Sequence, residues 1–328
     1  MKKVLITGAN GFLGANLTRE LYRLGYEVKA MIRPTANLKG ISDIPCEVFF
    51  GNIDNKEDVI LAVAGCDVVI HAACITAQWD TTFEEYERIN FTATKNIAEA
   101  CIANKVERFI YVSTANTIGP GTRNNPGSEL NGFTLFNANS GYINTKYLAQ
   151  QYVLEQVMAR GLRGIVVNPT FMIGPCDTKP SSGELILYGM KKKILFYPPG
   201  GKNFVHIQDV CKGILNAIEK GKIGECYLLA GHNLSYREFF TMLNTISGER
   251  KVMIRIPAFA LKLAGIAGSL FQRLTHIPGK LTYSAAYLLS LDNYYSGKKS
   301  ERELMLRYTP IEDAISGAHS WFKENNYF

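Results

Sequence analysis

A tyrosine and a lysine four residues apart, Tyr142 and Lys146, are suited by type and spacing to proton transfer. Residues four apart lie on one face of a helix, so the ammonium group would lie beside the phenol. A free tyrosine has a pKa near 10, and lowering it to about 7 needs roughly 4 kcal/mol of preference for the phenolate, which a nearby cation can supply. Such a phenol gives a proton to a substrate oxygen or takes one from it.

The Tyr-x-x-x-Lys spacing occurs in three other places in the chain, so its surroundings must select among the copies. Only the copy at Tyr142 follows a predicted strand, residues 108–112, that ends in hydroxyl side chains. We expect Thr114, with Ser113 as the alternative, to orient and polarise a substrate oxygen. The competing interpretation of the pair is an exposed helix face without chemistry.

A glycine-rich turn follows the apolar run Val4 to Ile6 and precedes a helical pattern of leucines. Glycines there let the backbone turn without a Cβ clash, and let a pyrophosphate approach main-chain N–H groups at a helix start. The spacing alone also occurs in turns that bind nothing, but its position after the first strand favours a dinucleotide site. The residues predicted to contact the dinucleotide in this turn are Gly8, Asn10, Gly11, Phe12, Leu13 and Gly14.

The second predicted strand, residues 27–32, ends at Arg33. An acidic residue that holds a free ribose 2′-hydroxyl would stand where Ile32 is. The Arg33 guanidinium can instead fork onto a 2′-phosphate, with Lys39 assisting, which favours NADP(H). A surface arginine after a strand is the alternative, so NAD(H) stays open.

The fourth predicted strand, residues 67–70, leads into His71, Ala72 and Ala73. Small residues just past the carboxyl end of a parallel strand leave room for a ligand. We interpret His71 as a packed, hydrogen-bonded residue and not as a catalyst. Asn90, in the following long helix, either contacts the cofactor or bridges neighbouring elements.

Strand and helix patterns alternate as far as residue 173 and then become mixed. This order predicts an α/β protein, a Rossmann-type doubly wound parallel sheet with a smaller, mostly helical C-terminal substrate lobe. We assign residues 1–173 and 204–230 to the dinucleotide-binding domain, and residues 174–203 and 231–328 to the substrate-binding lobe. Residues 176–203 are mixed glycine, proline and lysine, and we expect a flap over the site.

The composition, 47% hydrophobic and 20% charged among 328 residues, is that of an ordinary soluble globular protein. The net charge of +7 comes mostly from scattered basic residues, which disfavours nucleic acid and suits an anionic cofactor. The seven cysteines have no paired or metal-like spacing, so we expect free thiols, no metal site and a cytoplasmic location.

The longest apolar stretch, Ile256 to Phe271, contains Pro257 and Lys262 and is too short to span a bilayer. We therefore expect no membrane span and predict a helix packed on the core. A helix that lies on a membrane surface is the alternative.

Several motifs follow one another in a fixed order along the chain: T-G-A-N-G-F-L-G, H-A-A, Y-V-S-T-A, Y-I-N-T-K, N-P-T-F-M-I-G-P and F-V-H-I-Q-D-V. Together with the segment from Tyr308 to Trp321, they resemble the extended short-chain dehydrogenase/reductase family over nearly the whole chain. The N-P-T-x-x-I-G-P segment and the arginine after the second strand are most similar to its dihydroflavonol 4-reductase-like branch. That branch is close to the hydroxysteroid dehydrogenases and to NAD-dependent epimerases and dehydratases.

The resemblance implies reversible hydride transfer between NADP(H) and a ketone or secondary alcohol of a small molecule. It implies that Tyr142 exchanges the proton and that Lys146 also hydrogen-bonds the nicotinamide ribose. It implies dimers formed through the long helices, although the sequence itself leaves the oligomeric state open. Beyond the glycine-rich turn and Arg33, the cofactor contacts that it implies are Asn52, Ile53, Ala72, Ala73, Asn90, Tyr142, Lys146, Pro169, Phe171 and Met172.

The chain departs from the family pattern at four points. Asn52 replaces the aspartate of the adenine clasp, and Ala93 replaces the glycine of the N-x-x-G-T helix motif. Lys202-Asn203 stands for the R-D pair of sugar-nucleotide enzymes, and Val166-Val167 stands where those enzymes tend to have an arginine. A carbonyl reductase is therefore the leading interpretation. An epimerase or dehydratase with a retained NAD(P) comes second, and a dinucleotide-sensing protein without turnover third.

Overall fold

The computed structural model of the chain describes residues 2–77, 81–275 and 281–328. The strands are β1 (Lys3–Thr7), β2 (Glu27–Ile32), β3 (Glu47–Phe50), β4 (Val68–His71), β5 (Arg108–Val112), β6 (Gly164–Pro169), β7 (Phe171–Ile173), β8 (Ile194–Tyr197), β9 (Gly201–His206), β10 (Cys226–Leu229), β11 (His232–Ser235), β12 (Val252–Arg255) and β13 (Asp292–Asn293). The helices are α1 (Phe12–Arg23), α2 (Lys56–Val63), α3 (Phe83–Tyr86), α4 (Ala93–Ala103), α5 (Gly141–Arg160), α6 (Glu184–Lys191), α7 (Ile207–Lys220), α8 (Tyr236–Ser247), α9 (Ala258–Thr275), α10 (Tyr283–Ser290), α11 (Lys298–Glu303) and α12 (Ile311–Glu324).

Seven of the described strands form one parallel sheet in the order β10-β6-β5-β4-β1-β2-β3. The chain builds the sheet from β1 toward β3, and then from β4 in the opposite direction. The reversal lies between β1 and β4, whose last residues, Thr7 and His71, are paired. Ligands of open parallel sheets bind at such a reversal, outside the carboxyl ends of the strands. The predicted Rossmann-type sheet is confirmed.

Each face of the sheet has its own hydrophobic core. Val4 and Ile6 of β1 contribute to one core with residues of α1 and α7, whereas Leu5 contributes to the other with residues of α2, α4 and α5. Because side chains alternate along a strand, a sheet covered on both faces needs apolar residues at every position. This explains the unbroken apolar runs of the inner strands.

The long helix that follows β4 contains an irregular turn. A π-helical turn, Glu87–Thr92, joins α3 to α4. Such turns occur often at functional sites. Here the turn includes Asn90, whose side chain is buried.

The C-terminal elements build two smaller sheets. β9 lies at the centre of one of them, antiparallel to β11 and parallel to β7 and β13. β8 and β12 form a two-stranded parallel ribbon. A third core, which includes Ile186, Phe239 and Ile315, joins α6, α8 and α12. Ser235 caps α8 and Glu238 completes the reciprocal capping box, as the S-Y-R-E sequence predicts.

The expectation of a flap over residues 176–203 is wrong, because this segment contains α6, β8 and the start of β9. Its glycines allow close packing instead of flexibility. A Cβ on Gly189 would lie 2.3 Å from Leu243 of α8, and one on Gly183 would lie 2.4 Å from Phe322 of α12. Glycine required by a close contact and glycine required by a loop look alike in a sequence.

The predicted packing of the helix at residues 256–271 on the core is also wrong. α9 buries only Leu261 and Gly265 among its described residues. Within residues 2–77, 81–275 and 281–328, no helix is long and apolar enough to cross a membrane.

Candidate active site

The glycine-rich turn lies directly against the end of β4. Gly8 has φ +71°, and a Cβ there would lie 2.8 Å from the backbone of Ala73. A Cβ on Gly14 would lie 2.1 Å from the carbonyl oxygen of Gly8. The backbone N–H of Gly11 donates to that same oxygen at 3.0 Å. The turn therefore has room for main-chain atoms alone, as a pyrophosphate cradle requires.

The start of α1 fits an anion. Gly11 precedes α1 without a side-chain cap, and the first turn carries no acidic residue. The first N–H groups of a helix have no partner within the helix, and its dipole is positive at this end. Phe12 and Leu13 begin the helix, Phe12 partly buried and Leu13 buried.

A buried hydrogen-bonded chain joins β1, β4 and α4. His71 Nδ1 lies 2.7 Å from Thr7 Oγ1, and His71 Nε2 lies 3.0 Å from Thr94 Oγ1. Burial lowers the pKa of His71 to about 3, so the imidazole is neutral. Thr7 Oγ1 also accepts from the backbone N–H of Ala73 at 3.3 Å. His71 is therefore a packed, hydrogen-bonded residue in this structure.

The end of β2 carries exposed basic groups. Arg33 and Lys39 are both exposed, and within the described residues neither forms an ion pair. Asn10 Nδ2 donates to the carbonyl oxygen of Asn37 at 3.1 Å, which ties the glycine-rich turn to the loop after β2. Asn52 follows β3 with an exposed side chain.

The Tyr142–Lys146 pair opens α5. Ser140 caps this helix by accepting from the backbone N–H of Ile143. Lys146 is 1% exposed, and its Nζ donates to the Val112 carbonyl oxygen at 2.7 Å. The same Nζ lies 4.2 Å from the ring centroid of Tyr111. The amine is thus fixed at the carboxyl end of β5.

The pKa values of Tyr142 and Lys146 are both shifted in the direction that favours the neutral form of the side chain. Burial raises the pKa of Tyr142, and the neighbouring Thr114 hydroxyl opposes this only in part. Burial lowers the pKa of Lys146 to about 8. The structure therefore does not show the lowered phenol pKa expected from sequence, because burial disfavours the phenolate. The Lys146 amine is directed at the Val112 carbonyl oxygen and the Tyr111 ring.

A buried polar network supports the end of β5, and sequence reasoning missed it. Asn168 Nδ2 lies 3.1 Å from the Thr114 carbonyl oxygen, 3.0 Å from Thr117 Oγ1 and 2.7 Å from Gln150 Oε1. Thr117 Oγ1 donates to Gln150 Oε1 at 2.8 Å. Ser113 and Thr114 are only 4% and 8% exposed. The network reaches Thr114 through its carbonyl oxygen, and Ser113 Oγ lies 3.5 Å from Thr117 Oγ1. The asparagine of the N-P-T motif was the one signal in the sequence for this network.

Asn90 holds the loop that follows β4. Its Oδ1 accepts from the backbone N–H of Ile75 at 2.8 Å, and its Nδ2 donates to the Ile75 carbonyl oxygen at 3.1 Å. Nδ2 also lies 3.4 Å from Thr145 Oγ1 on α5. The bridge to neighbouring elements is therefore present, and it connects the loop after Ala73 to the helix that carries Tyr142.

The residues after β6 lie at the same edge of the sheet. Val167 pairs with Val112, so Pro169 stands level with Thr114. Phe171 and Met172 follow, partly buried. Lys202 lies with its Nζ 4.7 Å from the Phe171 ring centroid, and burial lowers its pKa to about 8.

Apolar side chains and a thiol complete the surroundings of Tyr142. A small cluster formed by Leu135, Ala138 and Ile143 packs against the neighbouring Phe133 and Tyr142. It also packs against residues remote along the chain, namely Tyr287, Leu288 and Leu291. Burial raises the pKa of the Cys74 thiol, which lies close enough to interact electrostatically with Tyr142 and Lys146. These walls could not be predicted from sequence patterns, because residues 287–291 are remote from Tyr142 along the chain.

The structure thus brings the predicted catalytic side chains and the glycine-rich turn to one edge of the sheet. A half-buried phenol, a buried amine and two buried hydroxyls can exchange a proton with a substrate oxygen. Within the described ranges, no group of three or more histidine, cysteine or acidic residues could hold a metal ion.

Comparison with known proteins assigns the chain to one family model. Residues 4–230 match the model described as the NAD dependent epimerase/dehydratase family. The crystal structure of gox2253 superposes with a TM-score of 0.88 at 28% identity, covering 99% of each chain.

Two curated relatives are reductases by name. A protein named putative dihydroflavonol 4-reductase, from Synechocystis sp., is 28% identical across 98% of this chain and 95% of its own. A protein named 4-hydroxy-2-methyl-3-oxo-4-farnesyl-3,4-dihydroquinoline-1-oxide ketoreductase, from Stigmatella aurantiaca, is 29% identical across 92% of this chain and 91% of its own. The similarity therefore extends over nearly the full length of these relatives.

Substitution of Asn90 tests its bridging role. Asn90→Ala leaves the Ile75 backbone groups without partners, so we expect the free energy of unfolding to fall by about 1–3 kcal/mol without any cofactor present. Asn96→Ala, on α4 and without a side-chain hydrogen bond among the described residues, should change it by less than about 0.5 kcal/mol. Urea denaturation measures both. Equal stability of the two variants would leave Asn90 without a structural role.

Proposed function

The chain belongs to the NAD-dependent epimerase/dehydratase family of extended short-chain dehydrogenases and reductases, and from that premise we propose that this NAD(P)-dependent oxidoreductase is an NADP(H)-dependent carbonyl reductase. Its reaction is reversible hydride transfer to a ketone or from a secondary alcohol of a dihydroflavonol- or hydroxysteroid-like small molecule. The observation that carries the proposal is the convergence of Thr114, Tyr142 and Lys146 at the end of β5.

The glycine-rich turn and the start of α1 fit a bound dinucleotide. The turn at Gly8 and Gly14 has no space for a Cβ, and α1 begins without a side-chain cap. When bound, NADP(H) supplies or accepts the hydride. Tyr142 and Lys146 lie near the carboxyl end of β5, at the same edge of the sheet as the glycine-rich turn.

Tyr142 holds the proton in this proposal. Because burial raises its pKa, the phenol keeps its proton at neutral pH, which is the form that donates to a carbonyl oxygen. Thr114, with Ser113 as the alternative, orients the substrate oxygen, and the Asn168 network keeps this segment in place. Lys146 holds a positive charge below pH of about 8 beside the reacting groups.

An apolar substrate is supported by the walls of the site. Tyr287, Leu288 and Leu291 pack on the same small cluster as Tyr142, and they are uncharged. Both reductase relatives act, by name, on compounds with aromatic or isoprenoid character. Lys202-Asn203, in place of an arginine–aspartate pair, gives no support to a nucleotide-sugar substrate. Asn203 is occupied in hydrogen bonds to Thr170 and Asn233.

The preference for NADP(H) is supported by the end of β2. Ile32 is 2% exposed and cannot hydrogen-bond a ribose hydroxyl, whereas Arg33 beside it is exposed. A guanidinium without an acidic partner matches a phosphate monoester. Lys39 adds a second positive charge in the loop that follows β2.

An epimerase or dehydratase is the second candidate, favoured by the family model that residues 4–230 match. It would oxidise and re-reduce one substrate on a retained cofactor. Cofactor stoichiometry separates the two. A reductase consumes one NADPH for each ketone reduced, which absorbance at 340 nm follows. Product formation at constant NADPH would contradict the reductase.

Removal of the Tyr142 hydroxyl tests the proton donor. Tyr142→Phe should lower turnover by about 10²–10⁴-fold, because no other group at this position donates the proton. NADPH affinity should stay within about twofold of the wild type, since the ring itself is kept. Tyr147→Phe on the same helix is the matched control. A Tyr142→Phe enzyme with most of its activity would remove Tyr142 from the mechanism.

Substitution of Arg33 tests the cofactor preference. Arg33→Ala should weaken NADPH binding by about 10–100-fold and NADH binding by less than about twofold, because only NADPH carries the 2′-phosphate. Fluorescence titration measures both constants. Arg307→Ala, another exposed arginine, is the control. Equal losses for NADPH and NADH would refute the assignment.

The pKa of Lys146 predicts a pH dependence. A lysine with a pKa of about 8 is charged below that pH and neutral above it. We therefore expect kcat/KM for ketone reduction to fall above about pH 8. In Lys146→Arg the guanidinium stays charged, so the residual kcat/KM should no longer fall above about pH 8. If kcat/KM of that variant still falls at the same pH, the fall belongs to another group.

A further inference from the structure

α9 turns its small residues inward. A Cβ on Gly265 would lie 2.6 Å from Ala286 Cβ, and one on Gly268 would lie 2.0 Å from the Leu281 carbonyl oxygen. Ser269 Oγ accepts from the backbone N–H of Tyr283 at 2.8 Å. The start of α10 and the residues before it therefore approach the backbone of α9 closely at these small residues.

Five large apolar residues of α9 face the other way, whereas Leu261 is buried. They follow one another at intervals of four, three, four and four residues, which places them on one face of the helix. Each is more than half exposed. This outer ridge consists of Phe259, Leu263, Ile266, Leu270 and Leu274. A helix that packs on a core shows the opposite distribution, with large apolar residues inside.

The ribbon that leads into α9 continues the exposed apolar surface. Val252 pairs with Ile194 and Ile254 pairs with Phe196. All four side chains are exposed, between 42% and 62%. Only residues 256–257 separate β12 from α9, so the ribbon and the outer ridge are neighbours along the chain.

Basic residues outnumber acidic ones around this surface, although Glu249 and Asp292 directly flank residues 250–291. Residues 250–291 contain six lysines and arginines and no aspartate or glutamate. Lys262 and Arg273 lie eleven residues apart, about three turns, so they flank the outer ridge on one side. Residues 191–193 add three lysines directly before β8. Unlike these lysines, Lys251 forms an ion pair in the described part of the chain, with Glu249.

We propose that the outer ridge and the β8–β12 ribbon dock the protein on an anionic lipid bilayer. The ridge enters the boundary between headgroups and acyl chains, and the basic side chains beside it contact lipid phosphates. A helix with apolar residues on one face and basic residues beside them lies in the plane of such an interface.

Charge decides between lipid and a second copy of the chain. In a two-fold dimer the same patch meets itself. Here that contact would bring Lys262, Arg273 and their neighbours against the same basic residues, with no acidic group in residues 250–291 to compensate. An anionic bilayer supplies the missing negative charge and fits a convex apolar ridge.

Vesicle sedimentation of the full chain tests the proposal. The probes are phosphatidylcholine vesicles with and without about 30 mol% phosphatidylglycerol. The wild type should bind the anionic vesicles at least about tenfold more tightly than the neutral ones. Leu263→Gln should weaken that binding about fivefold or more. Lys262→Gln with Arg273→Gln should weaken it and reduce its salt dependence.

Leu61→Gln is the matched control, because Leu61 and Leu263 are both 61% exposed, on different helices. It should leave vesicle binding unchanged, and circular dichroism should show all variants folded. The proposal is overturned by equal wild-type binding to both vesicles, or by equal effects of Leu263→Gln and Leu61→Gln. A concentration-dependent dimer that Leu263→Gln abolishes, without vesicle binding, would overturn it in favour of a second copy. None of these outcomes depends on the enzyme's activity.

Discussion

The close approach of two backbone segments governs the site: Gly8 against Ala73, at the carboxyl ends of β1 and β4. A Cβ on Gly8 would lie 2.8 Å from Ala73, so the approach depends on glycine. The hydrogen bonds of His71 to Thr7 and Thr94 hold the same two strands and α4 in register. This contact places the phosphate cradle beside the residues that follow β4 and β5.

Neutral polar groups hold the rest of the site in place around the buried Lys146 amine. His71 is uncharged, Asn90 ties the loop after Ala73, and Asn168 binds the end of β5 through its amide. Buried amides and hydroxyls that are mutually hydrogen-bonded fix geometry without the desolvation cost of ion pairs. Lys146 thus places its amine at the end of β5, where it interacts electrostatically with the Cys74 thiol.

Much of this arrangement was readable from the sequence because it depends on local rules. The apolar run before Gly8, the 27–32 and 108–112 strands, and the Ser235 capping box follow from side-chain period, glycine geometry and capping chemistry. The order of the elements then fixed the parallel sheet and the edge where Tyr142 had to lie.

Other features depend on contacts between distant parts of the chain, and the sequence concealed them. The glycines at 183 and 189 look like loop residues, yet they make room for Phe322 and Leu243. The apolar pattern of α9 is that of a core helix, but its small face packs on α10 and its large face is exposed. The raised pKa of Tyr142 results mainly from burial, to which residues remote along the chain contribute.

We propose that the glycine-rich turn and the Tyr142–Lys146 pair serve one cofactor. A crystal structure of the complex with NADP⁺ measures this directly. We expect the pyrophosphate at the start of α1, the 2′-phosphate at Arg33 and the nicotinamide ring within about 4 Å of the Tyr142 hydroxyl. A nicotinamide ring bound away from Tyr142, or a dinucleotide bound elsewhere on the chain, would contradict it.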